Sequence, residues 1–174
     1  MTNDPMWRLA DVAPLEVRSP DFDDGAALPE WARARDAGVH DQSPELRWIG
    51  APEATRSFVV RVFDPDAPTM SGFWHWAVYD LPATTDHLPR GAGTPASGLL
   101  PAGAVTVANE ARREEYTGAA PPSGHGEHRY FFVVSALDVD HLEVPAGATP
   151  AVLGFLLRTH ELARGMTVGT SITP

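Results

Sequence analysis

Apolar and polar positions alternate along much of this chain with a period of two, in runs of strand length. Phe58, Val59, Val60, Val62 and Phe63, rich in β-branched and aromatic residues and broken only by Arg61, read as a buried strand. A turn containing Pro65 and Pro68 follows, and the chain resumes at Phe73. There alternation predicts Phe73, His75, Ala77 and Tyr79 on one face and Trp74, Trp76, Val78 and Asp80 on the other. Residues 128–137 repeat the pattern, with His128, Tyr130, Phe132 and Val134 opposite Arg129, Phe131, Val133 and Ser135. Both of these faces are largely apolar, as in a strand covered on both sides. Residues 43–50 read as a turn entering a strand that sets Leu46 and Trp48 together, and residues 15–19 and 166–172 as a first and a last strand.

Period 3.6 is clear once. Thr149 is placed to cap, Pro150 suits a first helical position, and Val152, Leu153, Phe155, Leu156, Leu157 and His160 cover much of the circumference of a buried helix predicted to run from Ala151 toward Gly165. Residues 28–37 permit a short helix, and the charged stretch 109–116 reads as a solvated turn or short helix. Between them, residues 82–108 form a long Pro-, Gly-, Ala- and Thr-rich connection of the kind that is functional or lies over a sheet. Residues 1–14 are polar and lack periodicity, an N-terminal arm with Met6, Trp7 and Leu9 able to pack down.

Composition narrows the function classes. At 174 residues the chain is expected to form one domain. No apolar run approaches a membrane span, and the first residues carry neither a signal nor a transit pattern, so integral membrane association is not expected and the cytoplasm is the expected location. A formal charge of -10 argues against nucleic acid as a partner. With no cysteine, disulfides and thiolate-ligated metals are excluded. All 13 basic residues are arginine, which removes Schiff-base chemistry.

The candidate chemistry lies where two histidines follow two stiff turns. Asp64 and Asp66 sit in DPDAP, whose prolines leave few conformations to lose, ahead of His75; PPSGHGEHRY leads into His128 and Tyr130. If the two strands approach each other, both imidazoles, the Tyr130 hydroxyl and the two carboxylates converge on a small pocket. A carboxylate beside an imidazole raises its pKa, so the pocket is expected to be cationic near neutral pH and to accept a small anion, with backbone donors near Gly124 and Gly126 adding to it. The plainer alternative also stands: a histidine inside an apolar strand is ordinarily a satisfied core residue, and aspartate beside proline ordinarily forms turns. Arg129, on the opposite face, reads as an ion-pair partner, and His160 as packing.

Other constellations fail. His125 and His128 lack a third metal ligand, His160-Glu161 lacks the second histidine of a zincin helix, and no strand leads into the glycines at 91 and 93 as a dinucleotide fingerprint requires. There is no G-x-S-x-G; Ser71 and Ser123 are the serines near the clusters. No cofactor and no metal site is expected. An enzyme using His75 or His128 as general base, and a protease or kinase inhibitor acting through residues 82–108, remain alternatives to a binding protein.

SPELRWIGAP (43–52), DPDAP (64–68), FWHWAVYDLP (73–82) and APPSGHGEHRYFFVVSALD (120–138), in this order and with the late helix, resemble the phosphatidylethanolamine-binding protein family in its bacterial, Raf-kinase-inhibitor-like branch, from about residue 15 onward. The resemblance implies a mainly β fold, an antiparallel β-sandwich-like core with a few peripheral helices including one near the C-terminus. It also implies a pocket for phosphate or phosphorylated head groups, walled by Asp64, Asp66, His75, Pro122, His128 and Tyr130, a binding or regulatory role without an established reaction, and a homodimer. The chain departs from the family pattern in Arg112 and Arg113, in Ala119 and Ala120 where a Gly-Pro step is expected, and in the additional His125.

Overall fold

The computed structural model describes residues 4–34 and 41–174. Nine strands and one α-helix follow one another along these residues. The strands are β1 (Ala13–Pro14), β2 (Glu16–Arg18), β3 (Leu46–Ile49), β4 (Ser57–Asp64), β5 (Phe73–Pro82), β6 (His87–Leu88), β7 (Val105–Thr106), β8 (His128–Leu137) and β9 (Glu161–Ser171), with α1 (Pro150–Leu157) between the last two. A six-stranded sheet has the order β1-β9-β8-β4-β5-β7, and a three-stranded sheet the order β2-β3-β6. All pairings between these strands are antiparallel except β1 with β9, so the fold is the expected mainly β sandwich with one mixed edge.

β4 lies at the centre of the larger sheet because it has something to bury on both sides. Phe58, Val60 and Val62 meet Trp76, Val78, Phe132 and Val134 of their own sheet and Val17, Leu46, Trp48 and Leu88 of the smaller one, forming the core between the sheets. Val59 points the other way and packs with Ala77, Tyr79, Leu137, Leu142 and the α1 residues Leu153 and Leu157. Burying an aliphatic or aromatic side chain contributes roughly 1.5–3 kcal/mol, so this double-sided run anchors the fold. The connection 82–108 is not free of structure: β6 completes the small sheet and β7 edges the large one, with a 3-10 turn at Pro95–Ser97 between them.

Three expectations are corrected. The helix begins as predicted, with the Thr149 hydroxyl accepting from the Val152 amide at 3.3 Å, but it ends at Leu157. Only Pro150, Leu153 and Leu157 are buried in it; Phe155 is 61% exposed. Residues 161–171 instead pair with β8 along its whole length, from Leu137↔Glu161 to His128↔Ser171, because a ladder of backbone hydrogen bonds outweighs the helical pattern of the side chains. His160 is therefore outside the helix, its Nδ1 2.9 Å from Asp138 Oδ1. Second, residues 28–34 hold a 3-10 turn, Glu30–Ala32, with 35–37 outside the described residues. Third, residues 109–116 form a turn that is solvated only in the middle, since Asn109 and Tyr116 at its ends are buried. No helix of the described residues is long and apolar enough to cross a membrane.

Candidate ligand-binding site

The strand order brings the two motifs together. β4 runs antiparallel to both neighbours, so its last residue, Asp64, lies beside the first residues of β5 on one side and of β8 on the other. His75 and His128, 53 positions apart in sequence, thereby flank one carboxylate. The turn between β4 and β5 closes tightly: Gly72 has a φ of 71°, and a Cβ there would stand 2.5 Å from the Phe63 ring and 2.7 Å from the Asp64 carbonyl oxygen.

Asp64 is buried and fully engaged. One oxygen accepts from the backbone amides of Asp66 (2.7 Å) and Ala67 (3.0 Å), an Asx turn that the prolines preorganise. The other accepts from His128 Nδ1 at 2.8 Å. On the other side of the ring, His128 Nε2 stands 2.8 Å from His125 Nδ1. A hydrogen-bonded row thus runs Asp64, His128, His125, from the core to an exposed loop residue.

His75 reaches the site by a β-bulge that alternation does not foresee. Val62 pairs with Trp76 and Phe63 with Trp74, so His75 is an extra residue opposite none. The side-chain alternation breaks there. Trp74 stacks on Phe63 (ring centroids 4.4 Å apart) beneath α1, whereas Trp76 lies between the sheets; the two tryptophans expected on one face are on opposite faces. Phe73 and His75 turn toward the core between the sheets, the imidazole 4.8 Å from the Phe73 ring and 5.1 Å from that of Tyr130. The bulge also frees backbone groups that must be satisfied. The His75 carbonyl accepts from the Thr117 amide (2.9 Å) and from the Asn109 side chain (3.1 Å), and the Thr117 carbonyl accepts from His75 Nδ1 at 2.7 Å. Gly118, the next residue, passes so close to Arg33 that a Cβ would lie 2.4 Å from its carbonyl oxygen.

Burial pushes the His75 pKa below the ordinary imidazole value, outweighing the Thr117 carbonyl and the Asp64 carboxylate, which act upward. His75 is neutral at pH 7, with Nδ1–H spent on Thr117 and Nε2 left as an acceptor. The expectation of a cationic imidazole is corrected at this residue: it is shut away from water more completely than it is paired.

These groups surround a cavity of about 220 Å³ lined by Asp64, His75, Pro122, His128 and Tyr130, together with Phe73, Thr117 and other residues of the two loops. The Tyr130 hydroxyl is sealed from solvent and has no hydrogen-bond partner of ordinary geometry. Burial, and then the Asp64 charge, push its pKa well above the ordinary phenol range, the Ala120 backbone offsetting only part, so it is a donor at every accessible pH. Asp66 is held elsewhere. Its oxygens accept from the Arg129 amide (3.0 Å), Nε (2.8 Å) and Nη2 (2.7 Å), and the arginine depresses its pKa. Asp66 and Arg129 fasten the β4–β5 turn to the start of β8, as the opposite-face reading of Arg129 anticipates. Thr117, Gly118 and Ala120 escape prediction as lining residues because a backbone carbonyl or a small side chain has no sequence signature; the departures at 119 and 120 were the one local hint.

The description of the phosphatidylethanolamine-binding protein family matches residues 18–172. UPF0098 protein YbhB of Escherichia coli is 43% identical over 153 residues, which cover 86% of this chain and 94% of that protein. A putative lipoprotein of Mycobacterium tuberculosis, LppC, is 36% identical over 137 residues, covering 78% of this chain and 61% of its own length. The crystal structure of Escherichia coli YbcL, a member of the same family, superposes with a TM-score of 0.88 at 36% identity, covering 93% of this chain and all of that one. With fold and sequence matching over most of its length, the chain belongs to the phosphatidylethanolamine-binding protein family.

Proposed function

We propose that this protein binds a small oxyanion, phosphate or a phosphorylated head group, in the cavity at the end of β4, and that it acts by binding, in a regulatory role. The observation that carries this reading is the Tyr130 hydroxyl. A buried hydroxyl without a partner costs about 1–3 kcal/mol; Tyr130 lines the cavity, and a ligand oxygen that reaches its hydroxyl and accepts from it recovers that cost. His75 Nε2 supplies the complementary acceptor, suited to a phosphate oxygen that still carries its proton. The family name records a phosphorylated head group as ligand, which agrees with this chemistry.

Phosphate and phosphoethanolamine are expected to raise the melting temperature of the protein in proportion to the logarithm of their concentration. Tyr130→Phe keeps the packing and removes the donor, so it abolishes the protection. No shift with either compound, or an equal shift in Tyr130→Phe, would overturn the proposal.

A second reading rests on the Asp64–His128 pair, since a carboxylate-held imidazole is the arrangement of a general base. Its Nε2 is directed at His125 rather than at a hydroxyl. Thr69 Oγ1 donates to the Gly72 carbonyl and Thr117 Oγ1 accepts from Asn109, so both lining threonines are engaged, and the Ser123 hydroxyl is taken by the Pro174 carbonyl. Binding is therefore the better-supported reading. Phosphoester turnover lost in His128→Ala would reverse that order.

A further inference from the structure

The opposite face of the large sheet holds a second hollow, and at its floor lies a buried charge with a single hydrogen bond. Arg61, on β4, is buried, yet its one hydrogen bond is from Nη2 to Ser135 Oγ at 3.0 Å; Nε is sealed without a partner. Glu161 stands nearby but is committed elsewhere. It accepts from Ser135 Oγ (2.6 Å) and from two nitrogens of Arg164, and its oxygen is 3.9 Å from Arg61, beyond hydrogen-bond distance. Two arginines thus share one carboxylate, and the surplus positive charge belongs to Arg61. It stays protonated at neutral pH although burial draws its pKa down to about 10, Glu161 acting against that shift and Arg164 with it.

Above Arg61 lies a hollow of about 440 Å³. Its walls are apolar: Phe63 and Trp74 from the sheet, Phe155 from α1, and Met6 and Leu9 from the N-terminal segment. Phe155 and Leu9 are exposed hydrophobic side chains on its rim. Gly154 of α1 stands over the guanidinium, where a Cβ would come within 3.1 Å of Nη1. Arg158 joins the same rim, stacked on Phe155 at 3.8 Å. The volume falls in the range of small-molecule sites, with a largely apolar lining, Arg61 at the floor and Arg158 on the rim.

We propose that this hollow binds a single-chain amphiphile with an anionic head, its head on Arg61 and its chain against Phe63, Trp74 and Phe155. Charge complementarity selects the head: a protein of net charge -10 places at the floor of an apolar space a cation whose nearest carboxylate, Glu161, is 3.9 Å away and shared with Arg164, and a neutral or cationic amphiphile would leave its sealed Nε without a partner. The site is separate from the cavity at Tyr130 and does not rest on the function proposed for it.

Calorimetric titration of the full chain with decanoate, decyl phosphate, decanol and decyltrimethylammonium tests the inference. Decanoate is expected to bind, decanol and the cation at least about tenfold more weakly, and each further pair of methylenes from octanoate upward to tighten binding about tenfold until the space is full. Ala151→Phe, at an exposed helix position lining the hollow, fills it without touching the core and should weaken decanoate at least about tenfold. Arg61→Met should reduce decanoate to the affinity of decanol. Decyl phosphate that is displaced by inorganic phosphate, or lost in Tyr130→Phe, would lie in the other cavity and count against this site. No decanoate binding up to about 1 mM, decanol equal to decanoate, or decanoate affinity unchanged by Ala151→Phe would overturn the proposal.

Discussion

Asp64 and Arg61 are buried charges three residues apart on the same strand, one at the cavity end between the sheets and one under α1, and they are treated in opposite ways. Asp64 has three donors within 3.0 Å. Arg61, with five donor hydrogens, makes one bond. A buried charge saturated by its own chain is a structural fixture, while a buried group left short beside a cavity is where a bound group would find a contact. By that criterion Asp64 and His128 form the frame of the cavity and Tyr130 is its contact, and Arg61 is the contact of the second hollow.

The largest effect should come from breaking the saturated region. Asp64→Ala removes the partner of a pair whose side chains are 2% and 4% exposed, and releases the two turn amides as well. A loss of about 3 kcal/mol or more in unfolding free energy is expected by denaturant titration. A loss below about 1 kcal/mol would show that the carboxylate is not the frame and would dissolve the contrast with Arg61.

Next comes the proton. The depressed pKa of His75 means that the unfolded chain binds a proton on this residue more readily than the folded one, so this residue's contribution is fully present above the unfolded value near 6.5 and is lost as pH falls below it. Melting temperature should drop as pH is lowered from 7 through this window, and His75→Gln should flatten the drop. Asp66 acts in a separate window, below the ordinary carboxylate value, because Arg129 depresses its pKa and its contribution is lost as pH falls toward that lower range. A profile unchanged between wild type and His75→Gln would show that His75 is not the group kept neutral by burial.

Asp66 sharpens the comparison from inside the same turn. Its pair with Arg129 is bidentate but its members are 31% and 23% exposed, so water already screens both. A double-mutant cycle on Asp66 and Arg129 should give a coupling of about 1 kcal/mol, well below the Asp64 effect and diminished by salt. Coupling as large as the Asp64 loss would mean that exposure does not separate the two aspartates.

How much of this was legible in the chain depends on whether the signal was a pattern or a count. The buried strands were legible because burial on a pleated surface imposes alternation, and the run at 58–63 carries it plainly. Convergence of His75 with His128 was legible in outline from the two stiff turns, and becomes necessary once β4 lies between β5 and β8. The bulge was not legible: one extra residue leaves the composition of 73–79 unchanged while reversing which tryptophan faces which core. The end of α1 was hidden for a related reason. Leu156, Leu157, Leu162 and Ala163 continue a helical spacing, and only the length of β8 shows that a strand partner claims residues 161–171. Sharing DPDAP with Asp64 groups Asp66 with the pocket, yet neighbours at i and i+2 in a turn need not share a destination, and Asp66 is held by Arg129.

The smallest stability effect should be at Tyr130, and it is the most informative. Replacing a hydroxyl that has no partner with hydrogen removes a desolvation cost and no bond, so Tyr130→Phe in the free protein should be neutral or slightly stabilising, within about 0.5 kcal/mol. Its effect should appear only with phosphate present, as a loss of the thermal protection that the wild type shows. Asp64→Ala damages the fold and binding together and so cannot separate frame from contact; Tyr130→Phe can, because one hydroxyl is deleted from a wall that otherwise stays packed. If Tyr130→Phe proves strongly destabilising without ligand, the hydroxyl already has a structural partner and the criterion that distinguishes the two kinds of buried group fails at the residue on which the proposed function rests.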